Sequence, residues 1–234
     1  MTEPAERSTR TVYGRRHGKK LRPARQALID DLLPRLRVEL PAAGYLDPAQ
    51  LFPSAVTAGL WLEIGFGAGE HLAWQARNHP DTGIIGCEPF INGMAALLSR
   101  VATDDLNNVR VFDDDARLLM NSLTEASVDR LFVLFPDPWP KMRHHKRRVV
   151  NSETLDAMAR ILSDGAELRL ATDHMGYCRW MIEHIAPHPA FEWLARGPND
   201  WRQRLDDWPE TRYESKALTG SKPVFLHYRR RPRA

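Results

Sequence analysis

The sequence predicts an α/β fold: a doubly wound, mostly parallel seven-stranded sheet with helices on both faces and a basic N-terminal extension. Three observations predict it. Short apolar runs alternate with longer stretches of helical spacing, which calls for crossover connections and so for parallel strands covered on both sides. A glycine-rich turn, GFGAG, follows the first apolar run, as at the ligand edge of doubly wound sheets. The 234 residues are 43% hydrophobic and 27% charged, which is ordinary for a globular domain and excludes wholesale disorder or a fibrous repeat.

The elements follow in order. Residues 1–22 have almost no apolar periodicity and are expected to be a basic arm, mobile without a partner; residues 23–234 are expected to form a single domain. PARQALIDDLL spaces Leu28, Ile29, Leu32 and Leu33 along one side of a helix, and Pro34 is expected to end it. Strands are expected at GLWLEIG, TGIIGCE, NVRVF, VDRLFVLF and AELRLAT, and helices at GEHLAWQARN, INGMAALLSRVA, ARLLMNSL, SETLDAMARIL and MGYCRWMIEHI. FEWLARG and PVFLHYRR read as two further strands, separated by a polar, Trp-rich insertion over 198–220. The apolar run 131–135 is far short of the roughly 18 residues of a membrane span. MTEPAERSTR lacks the apolar centre of a secretory signal, and Cys87 and Cys178 have neither CxxC nor metal-ligand spacing. A cytoplasmic protein is expected, with no membrane partner, as a monomer or weak homodimer.

Charge is unevenly placed. The total is only +3, but residues 1–25 carry +6, KMRHHKRR over 141–148 carries +5, and Arg229, Arg230, Arg231 and Arg233 add +4, against −12 for the rest. A mildly acidic body with basic extensions favours a polyanionic partner through phosphate contacts that release counterions.

In WLEIGFGAGEHL, Gly65 and Gly67 permit a tight turn and close backbone approach to a ligand. Glu88 lies 23 positions after Gly65, close to the roughly 20 expected of a carboxylate that holds a ribose diol. Several nucleotide-type cofactors share such a turn. A dinucleotide would set its pyrophosphate on the next helix N-terminus, where Glu63 and Glu70 would repel it. S-adenosylmethionine, with a sulfonium and an amino group and no phosphate, suits these carboxylates better. DDDA at 113–116 ends the third strand, where an acid such as Asp115 can accept from an adenine amino group while the following backbone N–H, that of Ala116, meets a ring nitrogen.

LFVLFPDPWPKMRHHKRR is the most specific feature of the chain. Pro136 and Pro138 stiffen the loop that carries Asp137 at a strand's carboxyl end, Trp139 offers a face for base stacking, and the basic run follows at once.

Taken together, LEIGFGAGEHL, GCE, NVRVFDDDA, FPDPWPKMRHHKRR, ATD and TRYESK resemble the bacterial tRNA (guanine-N7-)-methyltransferase family, which has a class I S-adenosylmethionine-dependent fold, over residues about 12 to 230. The resemblance implies methyl transfer from S-adenosylmethionine to N7 of the guanosine at position 46 of tRNA. It implies that Glu63, Glu88, Asp115 and Asp137 contact the cofactor, with Asp137 also at the catalytic centre. Lys141, Asp173, Thr211, Arg212, Tyr213 and Glu214 would hold the target nucleotide, and Arg143, Lys146, Arg147 and Arg148 would touch RNA. Pro140 and Cys87 depart from the family pattern, where a His and an aliphatic residue are common, and neither removes a group the chemistry needs.

Two other readings compete. An NAD-dependent oxidoreductase would use the same turn and ribose acid, but Tyr213 and Lys216 are three apart rather than the four of a Tyr-x-x-x-Lys pair. A catalytically silent RNA-binding protein would not need an intact set of cofactor carboxylates. Metal catalysis is not expected, because Pro187 interrupts the helical spacing of His184 and His188, and His144 and His145 belong to the basic run.

Overall fold

A computed structural model describes residues 14–53, 56, 58–210, 214 and 222–233. Seven strands form one sheet: β1 (Leu60–Ile64), β2 (Gly83–Cys87), β3 (Val109–Phe112), β4 (Val128–Leu134), β5 (Leu162–Thr172), β6 (Phe191–Trp193) and β7 (Val224–Arg230). Their order is β3-β2-β1-β4-β5-β7-β6. The first five are mutually parallel, and β7 runs antiparallel to both β5 and β6. The chain therefore winds outward in two directions from β1, and the switch point lies between β1 and β4.

The helices are α1 (Pro23–Asp31), α2 (Leu33–Leu36), α3 (Glu70–Asn78), α4 (Ile91–Asp104), α5 (Ala116–Ser122), α6 (Ser152–Ile161), α7 (Met175–Ile185) and α8 (Asn199–Arg202). Alternation along β1 sorts the two cores. Leu60, Leu62 and Ile64 face α5, α6 and α7 through Leu119, Leu155, Met158, Met181 and Ile185. Trp61 faces the other side, where α3 and α4 supply Leu72, Leu97 and Leu98, Leu33 opens α2, and Trp208 closes the layer.

Three local differences from the sequence expectations have physical causes. Pro34 ends α1 but starts another turn: it stands in the first turn of α2, where its missing N–H costs nothing. FEWLARG is strand only over Phe191–Trp193, at the sheet edge beside β7. β5 starts earlier than AELRLAT, directly after α6, because the pairing of Val128 with Leu162 jumps to Arg130 with Glu167 and leaves a bulge containing Gly165 at φ 82°.

The basic C-terminal tail also reads differently in three dimensions. Arg233 Nη2 donates to the carbonyls of Arg160 (2.8 Å) and Leu162 (2.7 Å) where α6 ends, and its other nitrogens pair with Asp164 and Glu125. Arg230 is buried and donates to Ala159 O at 3.2 Å. These two arginines answer the orphan carbonyls of a helix C-terminus, at the edge of the sheet opposite the carboxyl ends of β1, β2, β4 and β5. Among the described residues of the basic arm, Arg16 pairs with Asp114 at 2.7 Å, and Gly18 N and Lys19 O bond the Asn92 side chain, both at 2.7 Å. Residues 1–13 lie outside the described residues.

Candidate active site

The parallel register brings five strand ends to one rim: Ile64 pairs with Cys87, Cys87 with Phe112, Ile64 with Val133 and Leu134 with Ala171. The segments that begin with Gly65, Glu88, Asp113, Phe135 and Asp173 leave from that rim. It includes the switch point, where ligands bind in open α/β sheets.

In the glycine turn, Gly65 and Gly67 have φ 75° and 57°, and a Cβ added at either would meet open space. Only glycine holds that backbone without strain, so bare peptide faces open space. Glu88 fixes the turn from the neighbouring strand: Gly67 N donates to its Oε2 at 2.8 Å and Phe90 N to its Oε1 at 3.0 Å. Gly93 lies in the first turn of α4, outside the residues to which the sequence points. A Cβ there would stand 2.2 Å from the Gly67 carbonyl; its only sequence signal is an isolated glycine inside a helical pattern.

The carboxylates expected around the cofactor share one electrostatic neighbourhood. Burial pushes the Glu88 carboxyl up, the N–H groups of Phe90 and Gly67 pull it down, and the charges of Asp137 and Glu63 push it up again, with a net rise. Two other acids, Asp137 and Glu63, thus act on Glu88. Glu63 is buried under α3, where its Oε2 meets His71 Nδ1 at 2.7 Å. Asp115 caps α5 by accepting from Arg117 N at 3.0 Å, and both of its oxygens also accept from the Arg117 side chain. A ligand amino group would share this carboxylate with Arg117. Ala116 is the first residue of α5, so its N–H is among those without an intrahelical acceptor.

The proline-rich loop is strained on both sides of its acid. Phe135 (φ 51°) and Trp139 (φ 42°) are non-glycine residues in the left-handed region, each directly before a proline, and each such residue costs about 1–3 kcal/mol. Asp137 stands between them and is exposed. Trp139 lies beneath the Arg147 guanidinium, 5.0 Å from its ring centre, with His144 at its edge. Lys141, Arg143 and Lys146 are exposed on and beside the 3₁₀ turn Met142–Arg147. Desolvation and then the charges of Arg147, Arg143, Lys141 and Lys146 depress the His144 pKa.

Arg148 departs from the rest of the run. It is 3% exposed, donates from Nε to Pro138 O at 2.9 Å, and lies over the rings of Tyr177 and Trp180 at 4.9 and 4.8 Å. Unlike its exposed neighbours, from which an RNA contact is expected alongside it, its charge faces inward and bonds the loop that carries Asp137. Asp173 is buried at the end of β5. Glu214 Oε1 lies 3.4 Å from Arg204 Nε, while Thr211, Arg212 and Tyr213 lie outside the described residues.

The Trp-rich insertion holds more structure than its polarity suggested. Asp207 pairs with Arg169 through both carboxylate oxygens at 2.7 and 3.0 Å, and with Arg130 at 3.1 Å. Trp208 is buried against Phe225 and His71. His184 stacks on Trp180 and His188 meets Asp156.

Comparison with known proteins places the chain among methyltransferases. Residues 57–227 match the model of a putative methyltransferase family. The chain is 53% identical over 226 residues to the tRNA (guanine-N(7)-)-methyltransferase of Rhodospirillum rubrum, covering 95% of this chain and 88% of that protein. Among solved structures, the 16S rRNA methyltransferase KamB shares the fold with a TM-score of 0.56 at 17% identity, over 77% of this chain and 95% of that one. A single-substitution variant of the 16S rRNA (adenine(1408)-N(1))-methyltransferase of Catenulisporales acidiphilia, solved with cosubstrate SAM, gives 0.50 at 13% identity, over 76% of this chain and 88% of that one.

Proposed function

The chain belongs to the tRNA (guanine-N7-)-methyltransferase family, and from that premise we propose that this rim transfers a methyl group from S-adenosylmethionine to N7 of the guanosine at position 46 of tRNA. The observation that carries this reading is that the parallel register sets Glu63, Glu88 and Asp137 at neighbouring strand ends of one rim, the last of them directly before a run of exposed cations.

The residues present fit the cofactor. The open backbone at Gly65 and Gly67 leaves a cradle that any side chain would fill. Around it stand acids whose own repulsion, added to burial, raises Glu88, so a cationic ligand stabilises their ionised forms. Glu88 is placed to accept from the ribose hydroxyls, Glu63 from the amino group, and Asp115 with Ala116 N to meet the adenine edge. The cofactor supplies a methyl group activated on a sulfonium centre.

Guanine N7 carries a lone pair and no hydrogen, so the protein needs no general base to make it a nucleophile. Its task is to hold N7 about 3–3.5 Å from the methyl carbon and in line with the departing bond, an orientation effect that supplies several kcal/mol of the barrier. Positive charge moves onto the purine during transfer, and the Asp137 carboxylate, held by the stiff proline loop, stabilises it without reorganising. Asp173 and Glu214 are acceptors suited to the N1–H and amino edge, which guanine has and adenine lacks. Lys141, Arg143, Lys146 and Arg147 follow the phosphate backbone while Trp139 offers its ring to a base. Because the base must leave its tertiary pairing to reach the pocket, unstacking forms part of the barrier.

The test is transfer of labelled methyl groups to a tRNA transcript, with the product mapped as 7-methylguanosine, beside a transcript carrying adenosine at position 46. Label at position 46, absent from the adenosine transcript and lost in Asp137→Ala with an unchanged melting curve, is expected. Label at another position, or near-normal turnover by Asp137→Ala, overturns the assignment.

A further inference from the structure

A chain of buried polar groups runs behind the cofactor rim to the insertion. Glu63 Oε2 meets His71 Nδ1 at 2.7 Å, His71 Nε2 meets Gln75 Nε2 at 3.1 Å, and Gln75 Nε2 meets the Asp207 backbone oxygen at 2.7 Å. Glu63, His71 and Gln75 are each no more than 2% exposed. Proton positions follow from the far end. A backbone carbonyl only accepts, so the Gln75 atom facing Asp207 is the amide nitrogen. One of its hydrogens goes to Asp207 O, and the other points at His71 Nε2, which must then accept. The remaining ring proton sits on Nδ1 and is donated to Glu63. Gln75 Oε1 is left buried without a partner, an unfavourable feature that the other orientation would replace with a carbonyl facing a carbonyl.

We propose that His71 and Gln75 are positioning residues for Glu63, and that the Asp207 carbonyl, by fixing the Gln75 amide, ties this cofactor carboxylate to the segment leading to Thr211, Arg212, Tyr213 and Glu214. The proposal rests on the reading of Glu63 as a cofactor ligand. His71 sits in the first turn of α3 and Glu63 on the strand before the glycine turn, so one hydrogen bond spans the turn from behind and sets where the carboxylate points. The far anchor is rigid: the Asp207 carboxylate is held by Arg169 and Arg130, and Trp208 is packed against the His71 ring. Docking of the insertion therefore selects the His71 tautomer that donates to Glu63.

The test measures equilibrium binding of S-adenosylhomocysteine, steady-state methylation of tRNA and melting temperature for Glu63→Gln, His71→Leu, His71→Asn and Gln75→Leu in the full chain. His71→Leu is expected to weaken S-adenosylhomocysteine binding roughly tenfold, the scale of one hydrogen bond to a charged group, and to raise the KM for the methyl donor in step while kcat at saturation changes less than about threefold. His71→Asn, whose amide can replace Nδ1–H as donor, restores most of the affinity. Gln75→Leu shifts affinity in the same direction by a smaller factor. Unchanged affinity in Glu63→Gln overturns the cofactor role of Glu63 and the proposal with it. Weakened binding in Glu63→Gln with unchanged binding in both His71→Leu and Gln75→Leu overturns the proposal alone. It is also overturned if His71→Asn is no better than His71→Leu and affinity falls only in proportion to melting temperature.

Discussion

Replacing Arg148 by methionine separates the two roles a basic residue can have at this rim. The substitution keeps an apolar stem but removes the donor to Pro138 O at 2.9 Å and the cation over Tyr177 and Trp180. A hydrogen bond from a charged group is worth about 1.5–3 kcal/mol, and the two ring contacts together about 1–2 kcal/mol. Relief of the desolvation that a buried cation suffers returns part of this, leaving a net loss of about 2–3 kcal/mol. The loop it holds stores strain at Phe135 and Trp139, each about 1–3 kcal/mol. Anchor and strain are of one size, so without Arg148 the loop relaxes and Asp137 moves. Displacement of a reacting group by about 1 Å costs on the order of 100-fold in rate. Arg148→Met should therefore lower kcat for tRNA methylation by roughly that factor and leave the slope of log affinity against log salt unchanged. Arg143→Ala or Lys146→Ala should reduce that slope by about one each. The assay is filter-bound labelled tRNA over a salt series, with single-turnover kinetics at saturating enzyme. If Arg148→Met flattens the salt slope like its neighbours and keeps normal kcat, Arg148 is a phosphate contact and the anchor argument fails.

Other consequences are open to measurement. Gly93→Ala would set a Cβ 2.2 Å from the Gly67 carbonyl; it should weaken cofactor binding at least tenfold by titration, because backbone cannot yield as a flexible side chain does. Arg233→Ala should lower stability by about 1–2 kcal/mol in denaturant melts by uncovering the carbonyls at the end of α6, with no change in tRNA affinity or its salt slope. Burial would raise the Glu167 carboxyl, but His227, Arg169 and Arg130 outweigh it and hold it at about 2, against an ordinary 4.5. A depressed carboxyl contributes in full above pH about 4.5 and loses its contribution as pH falls towards 2. Melting temperature should drop across that window, and Glu167→Gln should flatten the drop; an equally steep curve in the variant would remove Glu167 from the account.

Much of the fold was legible because the signals are local. Period-two and period-3.6 patterns depend on neighbours within a few residues, and they placed β1 through β5 with the helices between them. Glycine and proline chemistry is local too, so GFGAG and FPDPWP marked their turns. The polar insertion gave no such signal. Asp207 and Trp208 look like loop residues until Arg169, Arg130 and His71 are set around them by β4, β5 and α3.

The sequence by itself determined the parallel frame, the acids at the strand ends, the rigid loop with its basic run, and the family to which they belong. Only the tertiary structure decided what each charge faces. Arg147 and Arg148 are adjacent and alike in the chain, yet one covers Trp139 and the other is buried beneath the loop. Arg233 lies in a tail as basic as the arm, yet it closes α6. His71 gave no signal of its own, yet it holds Glu63. The reason is physical: a residue's type fixes what it can bond, but the energy of a charge depends on which groups stand within a few ångströms and whether water does too, and those distances exist only after folding.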